Sequence, residues 1–340
     1  ILCYSDEEVQ IYPAVTNPRV ICLGEVLFDC LADQLGIPLE QVKSWTPYPG
    51  GAPANVACAL VKLGTSAGFI GCVGEDEPGN QLIQVLEEVG VDNRGIQCHP
   101  TAPTRQVYVV RSEKGDRSFA GFGGLDTSQF ADAFLDGSKL PESLFNYGEF
   151  LVLGTLELAY PQTRSAIKKA LQLAEQYGLK VLVDINWRSM FWPEPSEAKP
   201  LIEELFKHVD FLKIAKEEAA LFFDTTDPGA ITHRLDSVEG VLVTDGDNGC
   251  HYCLNNHEGY LPAFMMNVQD TTGAGDGFVA GFVHQLCQKG LKSIATAESG
   301  RDVVKYASAV GGLTTLKPGA IAAQPTAAEV EAFLAQFSVF

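Results

Sequence analysis

The chain has 340 residues, of which 46% are hydrophobic and 20% charged, and its net charge is −19 at pH 7. So acidic a balance excludes a basic nucleic-acid surface and an anchor on anionic lipid, and no apolar run reaches the length of a membrane span. The length suits one large α/β domain or two smaller ones, with enough apolar material for a sizeable core.

Residues 1–18 show no clear period and read as a loose N-terminal arm. Residue 1 is Ile, not Met, so a processed or trimmed chain is expected, and a preceding targeting segment stays open. "RVICLGE" (19–25) then reads as a buried strand ending at Gly24. In "GEVLFDC", Asp29 follows that strand into a stretch of alternating residues, where a carboxylate suits a sugar hydroxyl or a solvated edge. "PGGAPANVACALVKLG" places a tight turn at Gly50 and Gly51. A helix follows, with Pro53 at its start, Val56, Leu60 and Leu63 on one face, and Gly64 as its stop. Asn55 falls in its first turn, where an amide both donates to and accepts from a polyol; taken alone, this is an ordinary capped helix.

"SAGFIGCVG" (66–74) is a second buried strand, and "GNQLIQVLEEVG" (79–90) a helix stopped by glycine. "TRQVYVVRSEKGDRSFAGF" alternates again, with a hairpin turn signal at "EKGD". Segments 26–49 and 101–124 therefore predict a small antiparallel β flap. Strands "EFLVLG", "LKVLVDIN", "VDFLKIA" and "GVLVTDG" follow, the first two separated by the helix "PQTRSAIKKALQLAEQYG" (161–178). Strands alternating with amphipathic helices predict an α/β three-layer sandwich with a mostly parallel central sheet. "DINWR" (184–188) leaves a strand end, where open α/β sheets bind ligands. Arg188 there suits a phosphate clamp or a surface ion pair. The nine cysteines scatter through strands and helices, indicating a reducing compartment rather than a disulfide framework. Cys250 and Cys253 form a C-x-x-C in a strand-then-turn segment, where residues three apart face opposite ways, and no second pair completes a zinc site.

"DTTGAGDGF" (270–278) opens a helix buried on one broad face through Phe278, Val279, Phe282, Val283 and Leu286, ending at Gly290. Gly273, Ala274 and Gly275 bare the backbone N–H groups of its first turn, as an anion site requires. Asp276 adds a negative charge to that turn. A carboxylate facing the acceptor, rather than the phosphate, would take the proton of an attacking hydroxyl; taken alone, the stretch favours an aspartate that only complements the helix dipole. Walker A, protein-kinase and dinucleotide Rossmann signatures are all missing.

In this order the stretches resemble the PfkB family of sugar kinases, with the ribokinase-like fold, over about residues 19–335. The signatures are "GGAPANVA" running on to "LGTSAGFIGCVGEDEPG", and "DTTGAGDGFVAGF". "GEVLFDCL", "GGAPANVA", "GDRSF" and "DINWR" look most like fructokinases within the family. The resemblance implies Asp276 as catalytic base, the backbone of Gly273, Ala274 and Gly275 as anion hole, and Asp29, Gly50, Gly51 and Asn55 as sugar ligands. It implies Asn186, Arg188, Thr244 and Gly246 at ATP, and Glu218 at Mg2+ through water. Asp270 and Thr272, with the backbone of 314–319, match the monovalent-cation site of many members, so ATP and Mg2+ are the implied cofactors and K+ an additional one. The implied reaction is fructose to fructose 6-phosphate. Alternatives are a same-fold kinase for another polyol or a nucleoside, and a catalytically silent assembly component. A homodimer through the flap is expected, without nucleic acid or membrane partners. The expected location is soluble and intracellular, cytoplasmic or in the plastid stroma if a transit peptide has been removed. Two departures stand out. "KIAKEEA" places Ala215 where the family often has Asn, keeping Glu218, and "FAGFGGLD" (119–126) lacks the basic residue many fructokinases carry after the flap. The second bears on the choice of sugar, not on phosphorylation.

Overall fold

A computed structural model describes residues 17–112 and 117–337. The arm over residues 1–16 and the turn expected at 113–116 lie outside the described residues.

The strands are β1 (Val20–Leu23), β2 (Leu27–Leu35), β3 (Trp45–Gly50), β4 (Ala67–Gly74), β5 (Asp92–His99), β6 (Gln106–Arg111) and β7 (Arg117–Gly121). They continue with β8 (Phe150–Leu153), β9 (Lys180–Asp184), β10 (Phe211–Ala215), β11 (Gly240–Thr244), β12 (Cys250–Leu254) and β13 (His257–Leu261). Nine of them form one sheet in the order β13-β12-β11-β10-β9-β8-β1-β4-β5. Its pairs are parallel from β11 across to β5, and the β12–β13 hairpin adds antiparallel strands at the other edge. Strands buried on both faces read as near-continuous apolar runs, as do "VICL", "FLVL" and the "VLV" inside "KVLVD". Alternate residues then feed two cores. Ile21, Leu23, Val181 and Val183 pack on the side of helix Pro161–Tyr177. Val20, Cys22 and Leu182 pack on the side of helices Ala52–Lys62, Ala274–Lys289 and Ala297–Thr314. The result is the expected three-layer sandwich.

The flap is a separate four-stranded sheet in the order β3-β2-β6-β7. β2–β3 and β6–β7 are antiparallel pairs, joined at the centre by β2 and β6 running parallel. The parallel pair follows from connectivity: β2 and β6 each leave the large sheet in the same direction, and the intervening chain returns to that sheet through β4 and β5.

Helix Ala52–Lys62 packs directly on helix Ala274–Lys289. Each starts after a glycine with positive φ, Gly51 (+103) and Gly273 (+79). Their N-termini therefore open together beneath the flap.

Candidate active site

Helix Ala274–Lys289 begins with a constraint only glycine meets. Gly273 is left-handed, and a Cβ on it would stand 2.8 Å from the Cβ of Ala320. The N–H of Ala274 turns back to the carbonyl of Thr271 at 3.2 Å. Beyond it, the first turn presents N–H groups out of the helix end, where an anion is stabilised by donors and dipole together.

Asp276 is 8% exposed, and its Oδ2 accepts a 2.8 Å bond from Asn55 Nδ2. Burial pushes its carboxyl up to about 6; Asp184 adds repulsion, while the Asn55 bond, Lys213 and Arg188 pull it back. A carboxyl so poised is ionised at neutral pH yet basic enough to accept a proton. The amide of Asn55 is committed in one direction only. Its Oδ1 is buried with no partner among the described residues. Gln324 secures the position by donating from Nε2 to the Asn55 carbonyl at 2.7 Å.

Above this pair, Asp29 on β2 places Oδ2 within 2.9 Å of where a Gly50 Cβ would sit, so the carboxylate lies over the bare backbone at Gly50. At Gly51 a Cβ would meet the Glu25 carbonyl at 2.4 Å, which forces glycine into the turn. The Glu25 carboxylate then accepts from Ala52 N at 2.8 Å, fixing the start of the helix that carries Asn55. Asp29 and Tyr48 share a small cleft with Asp270, Thr272 and Gly319. There Asp270 ties its own turn together: Oδ1 accepts from Thr272 N and Oγ1 at 3.0 and 2.7 Å, and Oδ2 from Gly319 N at 3.1 Å. The Thr315 carbonyl accepts from Gln269 and Asp270 N, so residues 269–272 and the 314–319 loop are stitched side by side.

The remaining predicted residues gather at the C-terminal ends of β9, β10 and β11, where Asp184 pairs with Lys213 and Ala215 with Thr244. Asn186 turns the chain with a left-handed φ of +38, Arg188 is exposed and close enough to act on Asp276, and Gly246 follows Thr244 with φ +51. No direct contact joins Thr244 or Gly246 to Asp276. Glu218 is buried, with Oε1 accepting from Trp187 N at 2.8 Å and Oε2 from Ala215 N at 2.9 Å. Burial and then Asp184 raise its carboxyl above the usual range.

A metal has to fit this donor set. Among the described residues no group of three or more His, Cys, Asp or Glu forms a metal cage. Backbone donors engage both oxygens of Glu218, so a hydrated cation such as Mg2+ would meet it there through water. The carboxylate and carbonyl oxygens of the Asp270 turn and the 314–319 loop are the groups an alkali cation would use there.

Lys213 and Asp184 escaped the sequence reading. Lys213 lies in the buried strand β10, only 7% exposed, with Nζ 3.0 Å from both oxygens of Asp184. The available signal was a lone lysine inside the apolar run "FLKIA", since a buried lysine needs a partner.

A family model described as pfkB family carbohydrate kinase matches residues 17–327. Fructokinase-2 of Zea mays is 33% identical over 323 residues, covering 94% of this chain and 95% of that protein. The crystal structure of a fructokinase with bound ATP from Xylella fastidiosa superposes with a TM-score of 0.84 at 28% identity, covering 94% of this chain and 98% of the other. A double mutant of the fructokinase of Vibrio cholerae O395, with fructose, ADP and potassium ion bound, gives 0.80 at 29% identity, covering 94% and 98%. Among the described residues no helix is long and apolar enough to cross a membrane.

Proposed function

The chain belongs to the pfkB family of carbohydrate kinases, and from that premise we propose that it transfers the γ-phosphoryl group of ATP to fructose, forming fructose 6-phosphate and ADP. The observation that carries the reading is the Asn55–Asp276 pair at the mouth of a glycine-opened helix. Asp29, Gly50, Gly51 and Asn55 bind the sugar, and the unpartnered Asn55 Oδ1 accepts from one of its hydroxyls. Asp276 takes the proton of the attacking hydroxyl as the new oxygen–phosphorus bond forms. The bond from the γ-phosphorus to the β–γ bridging oxygen breaks, and ADP leaves with that electron pair. Donors of the helix end from Gly275 onward, past the Gly273–Ala274 turn whose Ala274 N–H is held by Thr271, face the charge that develops on the phosphoryl oxygens. Asn186, Arg188, Thr244 and Gly246 hold the ATP phosphates in line. Mg2+, held through water by Glu218, supplies charge neutralisation on those phosphates, and K+ belongs at the Asp270–Thr272 turn. The flap excludes water and so limits ATP hydrolysis.

A coupled ADP assay over fructose, other hexoses, pentoses, polyols and nucleosides tests the reading, with NMR of the product to locate the phosphate. Fructose-dependent ADP release and a 6-phosphate are expected. ADP release with a different sugar would overturn fructose, and none with any sugar would overturn the kinase. A second substrate deserves its place in that panel: residues 119–126 carry no basic side chain, which favours a polyol or sugar that needs no cation after the flap. A silent assembly component is disfavoured by the engaged Asp276. The exposed Leu35 and Phe119 of the flap sheet support a homodimer built through it; a fully active monomer in light scattering would refute it. The compartment in this reading is the cytoplasm or the plastid stroma, which fractionation decides.

A further inference from the structure

We propose that Lys213 is a positioning residue of the phosphoryl transfer: its buried ammonium is the fixed counter-charge that keeps Asp276 ionised beside Asp184. The inference rests on the sugar-kinase reading and adds to it a residue and the origin of a pH limit. Its basis is geometric. The Lys213 Nζ lies 3.0 Å from both Asp184 oxygens and 3.1 Å from where a Cβ of Gly275 would stand. The ammonium is therefore pressed against the first turn of the catalytic helix, one residue from Asp276. A side chain at Gly275 would crowd the ammonium.

The groups facing Asp276 come from every element around it. Asn55 donates from helix Ala52–Lys62. Asp184 repels from the end of β9, and Arg188 attracts from the loop beyond. Lys213 attracts from β10. Glu218, at the start of the next helix, acts on Lys213 rather than on Asp276 directly. Asp29 stands farther out, over Gly50. Lys213 itself stays charged: burial opposes its charge, but Asp184, Glu218 and Asp276 together more than offset this. A buried ion pair is dispensable for stability, since well-packed apolar replacements are commonly neutral or better. What an apolar replacement could not do is balance Asp184 next to the base.

The experiment uses the intact chain and two single variants with opposite expected signs. Lys213→Met leaves Asp184 unopposed, so the acid limb of kcat/KM should move up by about one pH unit or more. Asp184→Asn leaves the ammonium unopposed, so the limb should move down. Carboxyl-carbon NMR of the ligand-free protein, assigned by difference against Asp276→Asn, should show the Asp276 titration moving with each limb. A merely structural ion pair predicts lost activity or stability with both limbs and both titrations unmoved, and that result overturns the proposal. Should Lys213→Met fail to fold, Asp184→Asn alone decides, because a limb that does not fall is equally fatal. If the wild type releases no ADP with any sugar, the sugar-kinase reading fails while the NMR titration still judges Lys213.

Discussion

Asp276→Asn separates a catalytic carboxylate from one that only complements the helix dipole. The substitution keeps the size and an oxygen for the Asn55 Nδ2 donor at 2.8 Å, and removes only the charge and the basicity. With the carboxyl held near about 6 by burial, the ionised form leads by about thirtyfold at pH 7.5. The wild type should therefore sit on its plateau there, and kcat/KM should fall about tenfold per pH unit well below the limb. Removing a general base costs about 10²–10⁴ in turnover, or roughly 3–5 kcal/mol of barrier. Stability should move the other way. A carboxyl whose folded value is raised destabilises the fold as pH rises from its ordinary 3.8 to about 6, and the loss persists above. Asparagine escapes this, so the variant should gain up to about 3 kcal/mol at pH 7.5. ATP should bind equally or more tightly, because a negative charge has left the phosphate cradle. Coupled ADP release, ATP calorimetry and urea unfolding on one variant suffice. Retention of more than about a tenth of the turnover, well short of a lost base, or an acid limb still near its old position, would refute the assignment.

Asp29→Ala should raise the KM for sugar with little change for ATP, as lost charge-assisted hydrogen bonds are worth about 1.5–3 kcal/mol each; equal weakening of both substrates would place Asp29 elsewhere. Glu25 and Glu157 are both buried, with burial raising Glu25 to about 7, and burial and then Glu25 raising Glu157 well above the usual carboxyl range. The folded pair binds protons more tightly than the unfolded chain, so stability should fall as pH rises from about 5 to about 7. Glu157→Gln should flatten that fall, and parallel stability curves would count against the raised carboxyls. Gly281→Ala would place a Cβ 2.9 Å from both Ala307 Cα and Val310 Cγ2 of the neighbouring helix. Overpacking of that kind costs about 1–3 kcal/mol, to be read as a lower urea midpoint; an unchanged midpoint would mean the two helices are free to separate.

What the sequence disclosed followed how locally each feature is encoded. "VICL", "FLVL" and the "VLV" inside "KVLVD" are apolar because both of their faces are covered, so the central strands were legible. So were the helix stops, because Gly90 and Gly178 both take the left-handed cap. β5 and β13 were not read. They lie at the two edges of the large sheet, half-exposed and polar, and "DNRGIQCH" and "HEGYL" carry no clean period. The alternation in the flap was visible, but its central β2–β6 parallel pair depends on the chain's return through the large sheet, which no short window contains. Among the candidate site residues, those inside glycine-rich stretches carry a local signal, while the Lys213–Asp184 pair joins two strands 29 residues apart and is visible only once they lie side by side.

That pair also bears on why a phosphate cradle carries its own carboxylate. The two charges are kept apart by helix geometry, since backbone N–H groups project along the axis and a side chain in the first turn projects sideways. Asp276 projects toward the adjoining helix and meets an amide rather than water. The amide's orientation is then set: Nδ2 gives one N–H to the carboxylate, and Oδ1 and the second N–H remain for other partners. A hydroxyl that donates to this oxygen can no longer donate to any other group. In the proposed reaction one hydroxyl can accept from the second Asn55 N–H while donating to Asp276, and a neighbouring hydroxyl can donate to Oδ1. Vicinal or nearly vicinal hydroxyls use both positions and a simple alcohol only one, which ties the geometry of one amide to the polyol character of the substrate.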